Sequence, residues 1–212
     1  MNVLNEYSQI KEVAIRSPLN SFIDDNKLST EWETLRFHSK PDFKQAINEY
    51  AYFRGLLEDD GISIIDLPSS ELLTIDSIYT RDSILISKEG LILCNMGRSS
   101  RTPEAKENFN TLSSKGYKIA GQINAPGTLE GGDFIWIDNH HAAVGLGPRT
   151  NAEGIRQLKE ILGSSVELHV VNLPEPSHPD DVLHLMSIIS PLDVDLALIY
   201  KPFMPDSFIS WL

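Results

Sequence analysis

The sequence predicts an α/β protein assembled from a repeated hairpin-helix-strand unit whose last copy is unfinished. Three observations carry this. Two β-rich runs meeting at a tight turn occur three times, the turn centres lie about 50 residues apart, and a helical pattern follows each hairpin. A strand returns after the first two of these helices, whereas the third is still running at Leu212.

In the N-terminal third, Lys11 to Arg16 reads as a strand, Thr30 to Leu57 as one long helix, and Ile62 to Leu67 as a strand, a looser version of the unit. Next, Ser83 to Ser87 and Leu91 to Asn95 are joined at Lys88-Glu89-Gly90. Thr102 can cap the following helix, Pro103 suits its first turn, Gly116 ends it, and Tyr117 to Ala120 returns as a strand. The order recurs: Phe134 to Ile137 and Ala142 to Leu146 pair across Asp138-Asn139-His140-His141, "TNAEGIRQLKEILG" reads as a helix and "SVELHVV" as a strand. In the last copy, Val182 to Ile189 and Val194 to Tyr200 flank a turn at "SPLD", and "MPDSFISWL" starts a helix. We expect one domain over residues 1–212, missing at least a strand and in our reading a whole unit, because a closed ring of such units leaves no open sheet edge.

Composition narrows the partners. With 41% hydrophobic and 23% charged residues the chain suits a folded domain, and no run of about eighteen apolar residues suggests a membrane span. A net charge of -12 disfavours a grip on nucleic-acid phosphates and favours a cationic small molecule. Cys94 is the only cysteine, which excludes an internal disulfide or a cysteine-rich zinc module. The N-terminus carries no basic stretch followed by an apolar run, so the expected location is the cytoplasm. We expect no cofactor.

Three short segments fall at equivalent places near the first strand of successive units: "DSIYTRD" (Asp76 to Asp82), "LEGGD" (Leu129 to Asp133) and "HPDDVLHLMS" (His178 to Ser187). If the units surround an axis, Asp82, Glu130 and His184 converge there. Taken singly, each also fits a plainer role: a strand-end ion pair of Arg81 and Asp82, a turn at Glu130-Gly131-Gly132-Asp133, and a satisfied core histidine at His184. The shared register sets them apart. His140 and His141 read as solvated turn residues. His178, Asp180, Asp181 and His184 match no strong zinc spacing, and Pro179 interrupts them, so no metal is expected. Cys94, inside "LILCNMG", reads as a small core side chain.

These residues carry a resemblance. "YTRD" looks like the Thr-Arg-Asp signature of bacterial arginine deiminases, "LEGGD" resembles an acidic-Gly-Gly-Asp signature, and "LHLMS" resembles a segment bearing a general acid/base histidine. Together they resemble the guanidino-group modifying enzymes: dimethylarginine dimethylaminohydrolases, arginine deiminases and amidinotransferases. These share the five-bladed α/β propeller called the pentein fold. The resemblance implies that Asp82 and Glu130 clamp a guanidinium, a planar cation whose N–H fork suits carboxylates. It implies that His184 is the acid/base, that Asp76 lies on the substrate side, and that Arg101 ("RSSR") and Arg149 ("GPRTN") hold a substrate carboxylate. Asp133 is expected to tie the turn and is counted with Asp82, Asp76, Arg101 and Arg149 among the substrate-binding residues.

Two positions depart from the family pattern. Where arginine deiminases and glycine amidinotransferases carry an aspartate two residues after the histidine, this chain has Met186, which suits alkyl groups on nitrogen and points to N-methylated arginine. The family's nucleophilic cysteine lies near the C-terminus, in a place these 212 residues do not include; Cys94 belongs to another unit. The expected function is therefore C–N hydrolysis of an arginine derivative by a thiolate mechanism, with the thiol supplied from outside. The alternatives are an amidinotransferase, an arginine deiminase or dihydrolase, and an inactive subunit that binds an arginine-like ligand. The unfinished unit implies a homo-oligomer or a complementing C-terminal chain.

Overall fold

The structure is a computed structural model that describes residues 4–175 and 183–212. In chain order it contains β1 (Glu12–Ile15), α1 (Pro18–Ser21), α2 (Asp25–Glu31), α3 (Phe43–Asp59), β2 (Ser63–Asp66), β3 (Ile84–Ser87), β4 (Gly90–Leu93), α4 (Glu104–Ser114) and β5 (Ile119–Gln122). Then follow β6 (Phe134–Trp136), β7 (His141–Leu146), α5 (Ala152–Leu162), β8 (Glu167–Asn172), β9 (Ile189–Asp193), β10 (Leu196–Ile199) and α6 (Asp206–Trp211). Packing divides the chain into two units, residues 1–8, 81–99 and 116–212 in the first, and residues 9–80 and 100–115 in the second. No helix among the described residues is long and apolar enough to cross a membrane.

The first unit holds the repeats. In each complete copy the hairpin is antiparallel and the returning strand joins in parallel, giving the orders β3-β4-β5 and β6-β7-β8. Among the described residues β9 and β10 form a two-stranded hairpin. Strand alternation sends Phe134, Trp136, Ala142 and Val144 into one apolar cluster with Ile155 and Leu158 of α5, and Ile135, Ala143 and Val171 into another with Leu185 and Phe208. Burial on both faces explains why β6 and β7 read as continuous apolar runs. Asn151 starts α5 by accepting a hydrogen bond from the Gly154 amide at 2.8 Å. The Trp136 indole N–H, otherwise stranded in the core, donates to the Ile86 carbonyl at 2.9 Å.

In the second unit β1 and β2 pair in parallel, and Phe22, Leu28, Leu35 and Ile75 form the core. Arg16 is buried there with its guanidinium satisfied: it donates to the Pro68 carbonyl at 3.1 Å, the Ser77 carbonyl at 2.9 Å and Asn108 Oδ1 at 2.6 Å.

Four boundaries differ from the sequence reading. The long helix over Thr30 to Leu57 is two helices: α2 stops at Glu31, and α3 begins at Phe43 with Asp42 accepting from the Gln45 amide. The helical path ends at Arg36, which turns left-handed (φ 65°) while the Phe37 amide donates to the Trp32 carbonyl and the Arg36 amide to the Glu33 carbonyl; Pro41 then disfavours helical backbone at Lys40. The cap of α4 is Pro103, not Thr102, and β5 lies two residues beyond the predicted Tyr117 to Ala120. In the third hairpin, "SPLD" is strand rather than turn, within β9. The backbone before it leaves the sheet pattern because side chains take its donors: the His184 amide donates to Ser187 Oγ and the Leu185 amide to Asp133 Oδ1. Val182, predicted to start that strand, lies outside the described residues.

The packing makes a stability prediction. Leu158→Ala, at a fully buried site, should cost about 2–5 kcal/mol, whereas Leu198→Ala, at a side chain 66% exposed, should cost less than about 1 kcal/mol in urea unfolding. Equal losses would contradict the assignment of the core.

Candidate active site

The site grows from "LEGGD" in the first unit. Glu130 is extended, and Gly131–Asp133 form a single 3-10 turn that feeds β6. The two glycines are there for room. A β-carbon on Gly131 would sit 2.2 Å from the Arg81 carbonyl oxygen, and one on Gly132 would sit 2.9 Å from both Asp82 Oδ1 and the His184 ring. The glycine pair thus lets the "YTRD" and "LHLMS" segments close in from either side. Asp82 Oδ1 accepts a hydrogen bond from the Gly132 amide at 3.0 Å.

Asp133 joins the remaining pieces. Its Oδ2 accepts from the Thr150 hydroxyl at 2.7 Å and its Oδ1 from the Leu185 amide at 3.1 Å. Thr150 Oγ1 in turn accepts from the Glu130 amide at 3.2 Å. Burial pushes the Asp133 carboxyl up to about 6, against the opposing pull of His184, Thr150 and the Leu185 amide.

Glu130 is completely buried, so its charge must be matched locally. His184 Nε2–H donates to Oε2 at 2.9 Å, the Arg98 amide to Oε1 at 3.2 Å, and Arg149 Nη1 to Oε1 and Oε2 at 3.2 and 3.3 Å. Burial presses the His184 pKa down, but the Glu130 hydrogen bond and the nearby Asp133 and Asp82 carboxylates outweigh it, and the net shift is upward. The imidazole is held toward its protonated form. Such a site can receive a cation on Glu130 and hand over a proton from His184.

The structure therefore brings Asp82, Glu130, Asp133, Arg149 and His184 together within one unit. Asp76 and Arg101 belong to the other. Asp76 is buried in the 3-10 turn Ile75–Ile78, and Arg101 forks onto Glu104, Nε to Oε1 and Nη2 to Oε2, both at 2.8 Å. Arg81 pairs with Glu6 at 3.0 Å. His141 Nδ1 lies 2.9 Å from both Asp138 oxygens and His140 Nδ1 3.2 Å from the Ser165 carbonyl oxygen, both at the hairpin turn. Cys94 is buried in the β3-β7 core, and burial, with Asp82 and Glu130 nearby, pushes its thiol well above the ordinary range. His178, Asp180 and Asp181 lie outside the described residues. Among the described residues no group of three or more His, Cys, Asp or Glu is placed to hold a metal ion. Sequence reasoning does not single out Thr150 or Glu104; the available signals are their positions, one residue after Arg149 and three after Arg101.

A pH test follows from Asp133. A carboxyl whose pKa rises on folding binds its proton more tightly in the folded state, so it lowers stability as pH climbs from about 4 to 6. His184, also raised, acts in the same sense as pH passes through its folded value. Asp133→Asn removes the first effect and weakens the second. Its stability relative to the parent should improve between pH 4.5 and 7.5 in chemical unfolding; a difference independent of pH would refute this reading.

With the geometry established, likeness to known proteins becomes informative. The family model described as N,N dimethylarginine dimethylhydrolase, eukaryotic, matches residues 23–207. The N(G),N(G)-dimethylarginine dimethylaminohydrolase of Pseudomonas aeruginosa is 32% identical over 168 residues, which are 76% of this chain and 62% of that protein. The present chain thus spans less than two thirds of that relative. A solved structure of the Pseudomonas aeruginosa enzyme, a cysteine-to-serine variant complexed with citrulline, matches with a TM-score of 0.74 and 27% identity over 92% of this chain and 75% of that one. An amidinotransferase from Microseira wollei, with a TM-score of 0.74 and 17% identity over 99% of this chain and 73% of that one, shares the fold. The architecture is the pentein-type α/β propeller fold, here with open sheets. The chain belongs to the N,N-dimethylarginine dimethylhydrolase family, within the pentein superfamily of guanidino-modifying proteins.

Proposed function

We propose that this chain carries the substrate-binding and acid/base half of a guanidino hydrolase acting on an N-methylated arginine, giving citrulline and an amine. The supporting observation is the buried Glu130 carboxylate, bonded by a histidine and by the guanidinium of Arg149, with Asp82 near it on the Gly132 amide. In this reading Glu130 and Asp82 hold the guanidinium through charge-assisted hydrogen bonds, while Arg149 binds the carboxylate of the amino-acid end. Binding energy from that end positions the reacting carbon.

A thiolate adds to the guanidinium carbon. His184, held toward its protonated form, gives its proton to the departing amine as the C–N bond breaks. The neutral imidazole then takes a proton from water, whose oxygen attacks the same carbon and expels the thiolate. Cys94 is the wrong thiol for this: it is buried and its protonated form is favoured. We place the nucleophile outside these 212 residues. Met186, 38% exposed two residues after His184, offers a thioether to N-methyl groups where a carboxylate would favour unsubstituted arginine.

A second reading, ligand binding without turnover, is favoured for the isolated chain by the same burial of Cys94. The partner we propose is a second copy or a complementing chain, because the β9-β10 hairpin leaves Leu192, Val194, Leu196 and Leu198 exposed. Light scattering should report an assembly larger than one chain, and a monodisperse monomer would sink that part.

The isolated chain should bind dimethylarginine in calorimetry but release no citrulline. Glu130→Gln should weaken binding about 10- to 100-fold, the range for charge-assisted hydrogen bonds. Citrulline production that disappears in Cys94→Ser would overturn the placement of the nucleophile. Binding indifferent to Glu130→Gln would overturn the site.

A further inference from the structure

The carboxylate proposed to receive the substrate guanidinium already faces one. Arg149 places a single nitrogen, Nη1, between both oxygens of Glu130, at 3.2 and 3.3 Å. The arrangement is loose by the protein's own standard, since Arg101 meets Glu104 with two parallel bonds at 2.8 Å each. Charge-assisted N–H bonds to carboxylates favour about 2.7–2.9 Å, so Arg149 is held weakly on a carboxylate that His184 also engages. The side chain remains 19% exposed while Glu130 is 0% exposed, so Arg149 reaches the carboxylate from the solvent side.

The backbone beneath Arg149 is fixed. A β-carbon on Gly97 would lie 2.6 Å from the Arg149 carbonyl oxygen, the Gly147 amide donates to the Thr150 carbonyl at 3.0 Å, and the Thr150 hydroxyl is tied to Asp133. Movement at this position is therefore movement of the long side chain alone.

We propose that Arg149 is an internal stand-in for the substrate guanidinium and acts as a specificity filter. This rests on the proposed function of the same site. A guanidino ligand must displace Arg149 from Glu130, and displacement leaves a cation near the rim in need of an anion. A free amino acid supplies one in its α-carboxylate. A simple alkylguanidine does not, and it bears the full cost of the displacement. Arg149 thereby selects carboxylate-bearing guanidines over those without a carboxylate.

Calorimetry with dimethylarginine and with methylguanidine, which lacks a carboxylate, tests this on the parent and on Arg149→Ala. The variant should bind methylguanidine about tenfold more tightly or better, the lower end of a charge-assisted hydrogen bond, and dimethylarginine no more tightly than the parent. A merely structural arginine would not raise any affinity on removal. The parent offers a check that needs no variant: saturating propionate should tighten methylguanidine binding, because the two fragments are coupled through Arg149. Methylguanidine affinity that is unchanged or weaker in the variant, or indifferent to propionate in the parent, overturns the filter while leaving the guanidinium site intact. If no guanidino compound binds either protein, both the site and the filter fall.

Discussion

A carboxylate sealed from water must be supplied with donors by its own chain, and Asp133 shows what that requirement builds. Its two oxygens draw on the Thr150 hydroxyl and the Leu185 amide, which lie 17 and 52 residues away in sequence. Through the first it anchors the segment that carries Arg149; through the second, the segment that carries His184. Thr150 passes the connection on to the Glu130 amide. Both Asp133 oxygens are engaged by the protein's own donors, and the groups around Glu130 are tied to it. Burial raises its pKa, and this is the energetic signature of that placement.

The glycine pair serves the same end by subtraction. At Gly131 and Gly132 the chain passes so near Arg81, Asp82 and His184 that any side chain would collide. Carboxylates on either side of the pair then take separate tasks: Glu130 faces the histidine and the arginine, and Asp133 faces the scaffold. The concentration of charge in a dry place also governs chemistry. Burial first, and then the Asp82 and Glu130 carboxylates that also lift the His184 pKa, push the Cys94 thiol up, so the surroundings that suit an acid histidine suppress this cysteine as a nucleophile.

Much of the fold was legible because strand and helix periods survive in single sequences. The hairpins at Lys88-Gly90 and Asp138-His141 and the helix within "TNAEGIRQLKEILG" are local signals, and the structure carries them at those places. The misplaced elements depend on something local patterns omit. Residues 32–42 keep helical composition, but Arg36 turns left-handed and Pro41 disfavours helical backbone at Lys40. "LHLMS" looks like a strand until Ser187 and Asp133 claim its amides.

The sequence by itself determined which residue types are present and their recurrence at equivalent places, enough to nominate Asp82, Glu130 and His184 and to set Cys94 apart. Tertiary structure alone decided their bonding: that His184 and Arg149 share Glu130, that Thr150 links Glu130 to Asp133, and that Arg101 is engaged by Glu104. The reason is physical. Periodicity reports which face of an element is apolar, a property of neighbours along the chain. The partner of a buried charge is set by desolvation and by whatever donor the fold brings within about 3 Å, and no local pattern encodes that.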